Sequence, residues 1–242
     1  MSTHVPKRRH RISVAMIVRD AEQAVVSSLK SVQDIADEIV VADTGSTDGT
    51  MSAASSLATR VIEVPWQNNF SAARNACMAA TTGEWILWLD AGEVLEEQSA
   101  QRLLSFLNSS ADTGTVYRLQ VQRPAANGTF SGMQIAQHRL VPCNRDLKFR
   151  GCVAESLDES IASLELHSEM LDLAILRPLE DHENDIRLEK ARRNLRIVEL
   201  ELENSPDDLR LLLVQAESLA ELGEHAEARS LFQQVRQQSK HG

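Results

Sequence analysis

Residues 38–50 read EIVVADTGSTDGT, an apolar β-branched run that stops at a cluster of turn-forming residues. The four residues Ile39–Ala42 fit a strand buried on both faces, because no polar residue alternates with the apolar ones. Asp43 ends the run, and the segment from Thr44 to Gly49 is rich in residue types that favour turns. Such a strand, followed by a polar loop, is typical of the centre of a parallel α/β sheet.

The segments on either side of this strand alternate between strand and helix patterns. Short apolar runs predict strands, and apolar residues three or four positions apart predict the helices between them. The predicted strands are Arg11–Val18, Glu38–Asp43, Arg60–Val64 and Glu84–Leu89, and the predicted helices are Asp20–Ile35, a short helix ending near Leu57, and Phe70–Ala80. We also expect Asp20 and Gln23 to form a capping box at the start of the first helix. The fold class is therefore α/β, with a mostly parallel sheet flanked by helices.

The second half of the chain changes pattern twice. Thr115–Gln122 and Phe130–Val141 predict two strands around the turn Asn127-Gly128, and Lys148–Val153 predicts a further short strand. From Asp185 the spacing is helical, and six residues match one 34-residue tetratricopeptide repeat: Leu212, Ala216, Leu219, Gly223, Ala228 and Phe232. We predict an α/β domain over residues 1–183 and a tetratricopeptide-like helical tail over residues 184–242. One repeat cannot bury its apolar face alone, so the tail must pack on the preceding helix, on the main domain, or on a second copy or another protein.

The net charge of −10 on 242 residues comes from one segment of the chain. Residues 155–208 hold 16 acidic and 6 basic side chains, and the remainder is neutral, which does not favour nucleic-acid binding. The apolar run that follows the basic residues 7–11 is too short for a signal peptide, and no run approaches the ~20 apolar residues of a membrane span. The three cysteines are widely spaced, so we expect neither a disulfide framework nor a zinc site, and we expect a cytoplasmic protein.

Four segments, taken together, resemble the family 2 glycosyltransferases. In chain order they are VAMIVRD (14–20), EIVVADTGSTDGT (38–50), FSAARN (70–75) and WILWLDAGE (85–93). A fifth, FRGCVAE (149–155), is similar to the motif of a subgroup that continues into tetratricopeptide-like helices. The resemblance implies the GT-A fold and the transfer of a sugar, with inversion, from a nucleotide sugar (a UDP-sugar) to an acceptor.

The same resemblance implies which residues bind the nucleotide sugar. Asp43 would accept a hydrogen bond from the uracil imide, and Arg74 would face the phosphates. The sequence also allows structural roles: Asp43 as the cap of the turn after it, Asp20 as a helix cap, and Arg74 as a solvated helix residue. The full set carried over from the family is Val18, Asp20, Asp43, Thr44, Gly45, Ser46, Arg74, Asn75, Asp90 and Ala91.

Gly92 departs from the family pattern at the metal site. The family holds a divalent cation, Mg²⁺ or Mn²⁺, with an Asp-x-Asp pair, and Gly92 has no side chain to replace the second carboxylate. Asp90 and Glu93 could form a weakened metal site, or the chain could have lost catalysis. In a third explanation the charge of the diphosphate is stabilised without metal by one of three arginines, Arg74, Arg139 or Arg150.

Glu155 is the candidate general base that takes the proton of the acceptor hydroxyl. It matches the glutamate of the subgroup's His-Glu pair, although Ala154 stands where the histidine belongs. The alternative for Glu155 is a solvated surface carboxylate at the start of the acidic segment. A further family histidine, after the last strand, is missing, and Arg177-Pro178 occupies that region. These departures keep a second hypothesis open, in which the chain is a catalytically weakened binding or scaffold protein.

Overall fold

The aliphatic runs of the first ninety residues form the centre of one sheet. The computed structural model describes residues 10–123, 134–177 and 183–239, and in these ranges eight strands pair in the order β3-β2-β1-β4-β7-β6-β8-β5. The strands are β1 (Ile12–Val18), β2 (Glu38–Asp43), β3 (Arg60–Glu63), β4 (Trp85–Trp88), β5 (Val94–Leu95), β6 (Thr115–Gln122), β7 (Gln134–Pro142) and β8 (His167–Leu176). Strands β3, β2, β1 and β4 run parallel, β6 and β8 are also parallel, and the remaining pairs are antiparallel. The predicted mostly parallel α/β sheet is confirmed.

Helices connect most of the strands and continue beyond the last one. In the described ranges they are α1 (Glu22–Lys30), α2 (Thr50–Ser55), α3 (Phe70–Ala79), α4 (Glu97–Ser109), α5 (Asp158–Ser163), α6 (Glu183–Leu202), α7 (Leu209–Glu221) and α8 (His225–Gln238). None of the helices in the described ranges combines the length and the apolarity that crossing a membrane requires.

The described residues fall into two compact units. The first takes its residues from Met1–Trp66, Ala73–Lys148 and Leu157–Leu179, and it contains the whole sheet. Its core joins β1 and β4 to the apolar faces of α1 and α4, for example through Leu29 and Leu103, both fully buried.

The second unit is helical and takes its residues from Gln67–Ala72, Phe149–Ser156 and Glu180–Gly242. Helices α6, α7 and α8 pack in chain order, because each presents apolar residues such as Val198, Ala216 and Ala228 to the unit's interior. The Asp208 carboxylate caps α7 by accepting hydrogen bonds from the amides of Arg210 (2.9 Å) and Leu211 (3.2 Å). The tetratricopeptide assignment of α7 and α8, and the domain boundary at 183/184, stay predictions.

Local expectations failed at two places. The predicted strand Lys148–Val153 is wrong: in this region there is an isolated bridge between Arg150 and Ser156, and Gly151 and Ala154 have φ values of 91° and 48° that extended strands do not allow. The capping box is also wrong, because α1 begins at Glu22 after the N-cap residue Ala21, and Asp20 itself has φ 45°. The amide of Glu22 donates instead to the Asp48 carboxylate at 3.3 Å.

Four elements of the structure were not predicted, and one predicted turn lies outside the described residues. Helices α4 and α5 and strands β5 and β8 have no counterpart in the sequence prediction. The turn Asn127-Gly128 and the first residues of the predicted strand Phe130–Val141 lie outside the described residues.

Candidate functional site at the carboxyl edge of the sheet

Three aspartates follow neighbouring strands at one edge of the sheet. In the parallel register Val18 of β1 pairs with Asp43 of β2, and Ala15 of β1 pairs with Trp88 of β4, two residues before Asp90. Asp20, Asp43 and Asp90 therefore lie at the carboxyl ends of β1, β2 and β4. In open α/β sheets this is the edge at which ligands bind.

Asp43 caps the turn that follows β2. It is 2 % exposed, and its Oδ2 accepts hydrogen bonds from the amides of Gly45 and Ser46, both at 2.9 Å. Its Oδ1 accepts a further bond from the Ser46 hydroxyl. Gly45 has φ 97°, a left-handed conformation that glycine adopts readily because it has no Cβ, so the chain can form this tight turn. The structural role considered for Asp43 is thus present, and its role toward a uracil stays a prediction.

Asp20 ties the loop after β1 to the loop after β2. Its Oδ1 accepts the amide of Thr47 at 2.7 Å, and its own amide donates to the Ser46 hydroxyl at 3.0 Å. Thr44 completes the link, because its amide and hydroxyl both donate to the carbonyl of Val18 at 2.9 Å. Hydrogen bonds therefore join the two loops that carry five of the predicted nucleotide-binding residues.

Asp90 and Glu93 form a tight turn after β4. The amide of Asp90 donates to Glu93 Oε2 at 2.9 Å, and the amide of Glu93 donates to the Asp90 carbonyl at 2.9 Å. Gly92 between them has φ 89°, and its amide donates to the Ser28 hydroxyl of α1 at 2.9 Å. This turn directs both carboxylates toward the same group of cations.

Three guanidinium groups converge on the two carboxylates, and we call these five residues the arginine cluster. Arg74 Nη2 donates to Asp90 Oδ1 at 2.9 Å. Arg139 Nη2 lies 3.2 Å from Asp90 Oδ2 and 2.8 Å from Glu93 Oε1. Arg177 Nη2 lies 3.2 Å and 2.9 Å from the same two oxygens. Glu93 is fully buried and Arg139 is 5 % exposed, whereas Asp90 and Arg177 are 27 % and 32 % exposed.

Each arginine reaches the cluster from a different element. Arg74 projects from α3, with its guanidinium 5.1 Å from the centre of the Trp88 ring. Arg139 occupies an irregularity in β7, where Tyr117 of β6 pairs with Leu140 and Arg118 pairs with His138. A bulge of this kind re-aims a side chain that a regular ladder would hold to one face. Arg177 comes directly after β8.

The two carboxylates have opposite pKa shifts. Burial opposes ionisation of Asp90, but Arg139, Arg74 and Arg177 outweigh that effect and hold the pKa of Asp90 well below its usual range. The pKa of Glu93 is raised, first by burial and then by the neighbouring charge of Asp90, and Arg139 and Arg177 offset only part of the increase. Asp90 is therefore a permanent anion near neutral pH.

The geometry of the arginine cluster does not fit a divalent cation. Mg²⁺ and Mn²⁺ bind carboxylate oxygens, but each carboxylate oxygen of Asp90 and Glu93 already contacts an arginine or a backbone amide, so a cation would compete with these groups. In the described part of the chain, no three His, Cys, Asp or Glu side chains are grouped so that they could hold a metal ion. The metal-ligand role of Asp90 and Glu93 thus stays a prediction that this arrangement does not favour.

The structure places the other predicted site residues as follows. Val18 is buried at the end of β1, Asn75 is half-buried on α3, and Ala91 is half-buried in the turn after Asp90. The sequence suggested Arg74, Arg139 and Arg150 as sources of positive charge; the first two are in the arginine cluster, whereas Arg150 belongs to the second unit. It did not assign this role to Arg177. The signal for Arg177 was its position, because it occupies the region where the family histidine is missing.

Glu155 lies in the second unit, in a loop closed by a pair of backbone hydrogen bonds between Arg150 and Ser156 (2.9 and 3.0 Å). Helices α6 and α7 hold this loop. The amide of Cys152 donates to the Glu201 carboxylate at 3.3 Å, and Arg210 Nη1 donates to the Ala154 carbonyl at 3.4 Å. The candidate base is therefore on a loop fixed by the helical tail.

With this geometry in view, comparison with known proteins identifies the family. The sequence profile described as "Glycosyl transferase family 2" matches residues 13–150, more than half of the chain. The chain belongs to the family 2 glycosyltransferases.

Two curated relatives illustrate the similarity, and one of them is named as a glycosyltransferase. The chain is 36 % identical over 156 residues to the TPR repeat-containing protein Synpcc7942_0270 of Synechococcus elongatus, a match that covers 64 % of this chain and 37 % of the relative. It is 26 % identical to the SPbeta prophage-derived glycosyltransferase SunS of Bacillus subtilis, covering 90 % of this chain and 51 % of SunS. The chain thus spans about a third to a half of the curated relatives it matches.

Solved structures show the same fold. TarS of S. aureus in complex with UDP-GlcNAc superimposes with a TM-score of 0.58 at 14 % identity, covering 89 % of this chain and 73 % of TarS. Glucosyl-3-phosphoglycerate synthase of Mycobacterium tuberculosis, solved with Mn²⁺, UDP and glucosyl-3-phosphoglycerate, gives a TM-score of 0.53 at 18 % identity, covering 81 % and 80 % of the two chains. The GT-A fold predicted from the sequence is confirmed.

Proposed function

We propose that the protein transfers a sugar from a nucleotide sugar, UDP-linked, to an acceptor hydroxyl with inversion at the anomeric carbon. The observation that carries the proposal is the arginine cluster at the carboxyl edge of the sheet, in a chain of family 2. Its cations lie after β8, on β7 and on α3, beside the loop of the predicted nucleotide residue Asp90. UDP complexes of proteins with this fold support the choice of nucleotide.

The proposed reaction assigns one task to each group of residues. The loops after β1 and β2, which carry Asp20 and Asp43, would hold the nucleoside. Arg74 would face the diphosphate. The acceptor oxygen would attack the anomeric carbon from the side opposite the diphosphate, the bond from that carbon to the diphosphate oxygen would break with its electron pair, and Glu155 would take the acceptor proton. The products are the glycoside and UDP.

Thermal unfolding tests nucleotide binding. We expect UDP to raise the melting temperature more than GDP or CDP does, because the proposed donor is UDP-linked. A ligand at ~100 times its dissociation constant stabilises the folded protein by about 2.7 kcal/mol, which thermal unfolding detects. Absence of a response to every nucleotide would contradict the proposal. It would favour the binding or scaffold alternative, which the Gly92 and Ala154 departures from the family pattern support.

The catalytic assignment is tested separately with Glu155→Gln. Release of UDP from a panel of UDP-sugars should fall by about 10²–10⁴-fold, while stabilisation by UDP should match the wild type. Glu159→Gln, which changes an exposed carboxylate on α5, is the control and should keep wild-type turnover. Wild-type turnover in Glu155→Gln would mean that another group is the base.

The partner and the compartment stay predictions. A cleft of about 390 Å³ on α7 and α8 is lined in part by Ala228, Arg229, Phe232 and Arg236. It would be the surface for a second copy or another protein if the tail binds one.

A further inference from the structure

The arginine cluster differs from the metal site that the family resemblance implies. Where an Asp-x-Asp pair would leave carboxylate oxygens open to a cation, Asp90 and Glu93 here contact Arg74, Arg139 and Arg177 at 2.8–3.2 Å. A cation placed among the same oxygens would meet three positive charges at close range. The three arginines therefore supply the positive charge that a metal ion would supply at this turn.

The arginine cluster has an excess of positive charge, which favours the binding of an anion. Three guanidinium groups face two carboxylates, so the cluster carries +1 when both carboxylates are ionised. Arginine suits a diphosphate in particular, because its planar fork of N–H donors matches phosphate oxygens bidentately.

The arginine cluster also contains an unused donor. Arg139 is 95 % buried, since its side chain is 5 % exposed, and its Nε–H has no hydrogen-bond partner among the described residues. A buried donor without a partner is costly in a folded protein, and an ion that accepts its hydrogen bond is one way to remove that cost. Arg177 contributes the accessible side of the cluster, because it is 32 % exposed.

We propose that Arg74, Arg139 and Arg177 bind the diphosphate of the donor directly, and that donor binding requires no divalent cation. Asp90, the more exposed of the two carboxylates, occupies the phosphate position until the donor arrives, and Glu93 keeps Arg139 and Arg177 in place. As the bond to the sugar breaks, the same guanidinium groups stabilise the charge that develops on the departing diphosphate. The identity of the donor rests on the proposed function, but anion binding by the cluster does not.

Titration calorimetry in EDTA and in Mn²⁺ tests this proposal, with UDP and inorganic pyrophosphate as the two ligands. We expect the dissociation constant of each ligand to agree within twofold between the two conditions. Arg177→Gln is the first variant, because Arg177 is partly exposed and its replacement disturbs the fold least. It should weaken both ligands at least tenfold in EDTA, and Arg177→Lys should restore only part of the affinity because lysine lacks the planar fork.

Arg102→Gln is the matched control. Arg102 also pairs with a carboxylate, that of Asp172 at 2.9 Å, but it lies on α4 with its side chain 56 % exposed. It should bind both ligands as the wild type does.

The outcomes separate this inference from the proposed function. Binding of UDP that appears only with Mn²⁺ would overturn the inference and leave the proposed function standing. Metal-free binding of pyrophosphate without binding of UDP would support the anion site and contradict the nucleotide donor. Wild-type affinity in Arg177→Gln, or binding of neither ligand in either condition, would overturn the inference.

Discussion

Asp90 and Glu93 both contact Arg139 and Arg177, yet the pKa of Asp90 is lowered and the pKa of Glu93 is raised. Asp90 gains from three guanidinium groups, which outweigh its burial and lower its pKa, whereas complete burial and the charge of Asp90 raise the pKa of Glu93. A lowered pKa in the folded state stabilises the protein above the pKa of the unfolded state, and this contribution is lost as the pH falls. Glu93 contributes in the opposite sense, because a raised pKa gives stability that is present at low pH and lost as the pH rises through the folded value.

The replacement Asp90→Asn should change the dependence of stability on pH. The wild type should lose stability as the pH falls below about 5, and the variant should show a shallower loss because it lacks this titrating group. At neutral pH the variant should be less stable by about 3 kcal/mol, since three guanidinium groups lose a contact with a carboxylate, although Arg139 and Arg177 keep Glu93 as a partner. Urea unfolding at several pH values measures both effects.

Asp172→Asn is the control for this series. It removes a carboxylate that pairs with Arg102 at the surface, where ion pairs contribute little. Its pH profile should follow the wild type. Equal profiles for Asp90→Asn and the wild type would show that the arginine cluster does not set the acid limit of stability.

Individual residues of the site were predictable where a local motif carried them. Turn capping was one of the two roles that the sequence allowed for Asp43, because Asp favours that position, and the hydrogen bonds it accepts from Gly45 and Ser46 fit this role. The sequence marked the position of Arg177, where the family histidine is missing, but not its contacts with Asp90 and Glu93, which join residues more than eighty positions apart. No local pattern encodes such a pairing.

At the scale of elements, strands buried on both faces were the best predicted. Strands β1, β2 and β4 are continuous apolar runs, and the structure buries them at nearly every position. Strand β8 was missed because its first half is exposed and polar, and α4 was missed although Leu103 and Leu107 are buried. The irregular pairing that frees Arg139 in β7 also has no sequence signal, since it depends on the register with β6.

The turn between β4 and β5 depends on Gly92. At φ 89° an alanine Cβ would crowd its own backbone, so Gly92→Ala should destabilise the protein by about 1–2 kcal/mol. Gly114→Ala is the matched control: Gly114 has no positive φ, and a Cβ there would meet its nearest neighbour, Asp112 Oδ2, at an ordinary 3.4 Å. Equilibrium unfolding of the two variants should therefore differ. Equal stability of Gly92→Ala and the wild type would show that the turn relaxes to a conformation that alanine accepts.

For the whole molecule, the net charge of −10 is a poor guide to the site. The acidic segment, residues 155–208, places many of its carboxylates on exposed positions of α5 and α6, such as Asp158 and Glu199. The arginine cluster has the opposite balance, with three cations and two anions. The local arrangement of charges therefore indicates the ligand, and the total does not.

The composition of the second unit bears on how the chain can be divided. Its loop segments lie far from the helices in sequence but depend on them: the Phe70 ring lies 4.7 Å from the guanidinium of Arg193, and the amide of Cys152 donates to Glu201. Phe70 also donates its amide to the Cys152 carbonyl at 2.9 Å, which joins the two loop segments. The predicted boundary at 183/184 would separate these segments from the helices that hold them.

A chain cut after residue 183 should therefore fold less well than the full chain. The cut removes Arg193, Glu201 and Arg210 while leaving Phe70 and the loop around Cys152, so an aromatic side chain and two backbone groups lose these contacts. We expect a lower melting temperature and self-association in size-exclusion chromatography, whereas a chain ending at Ser239 should match the 242-residue chain. If the shorter chain stayed monomeric and had the same melting temperature as the full chain, the predicted domain would fold independently of its tail. In that case the loop that carries Glu155 would not need α6 and α7 to hold its conformation.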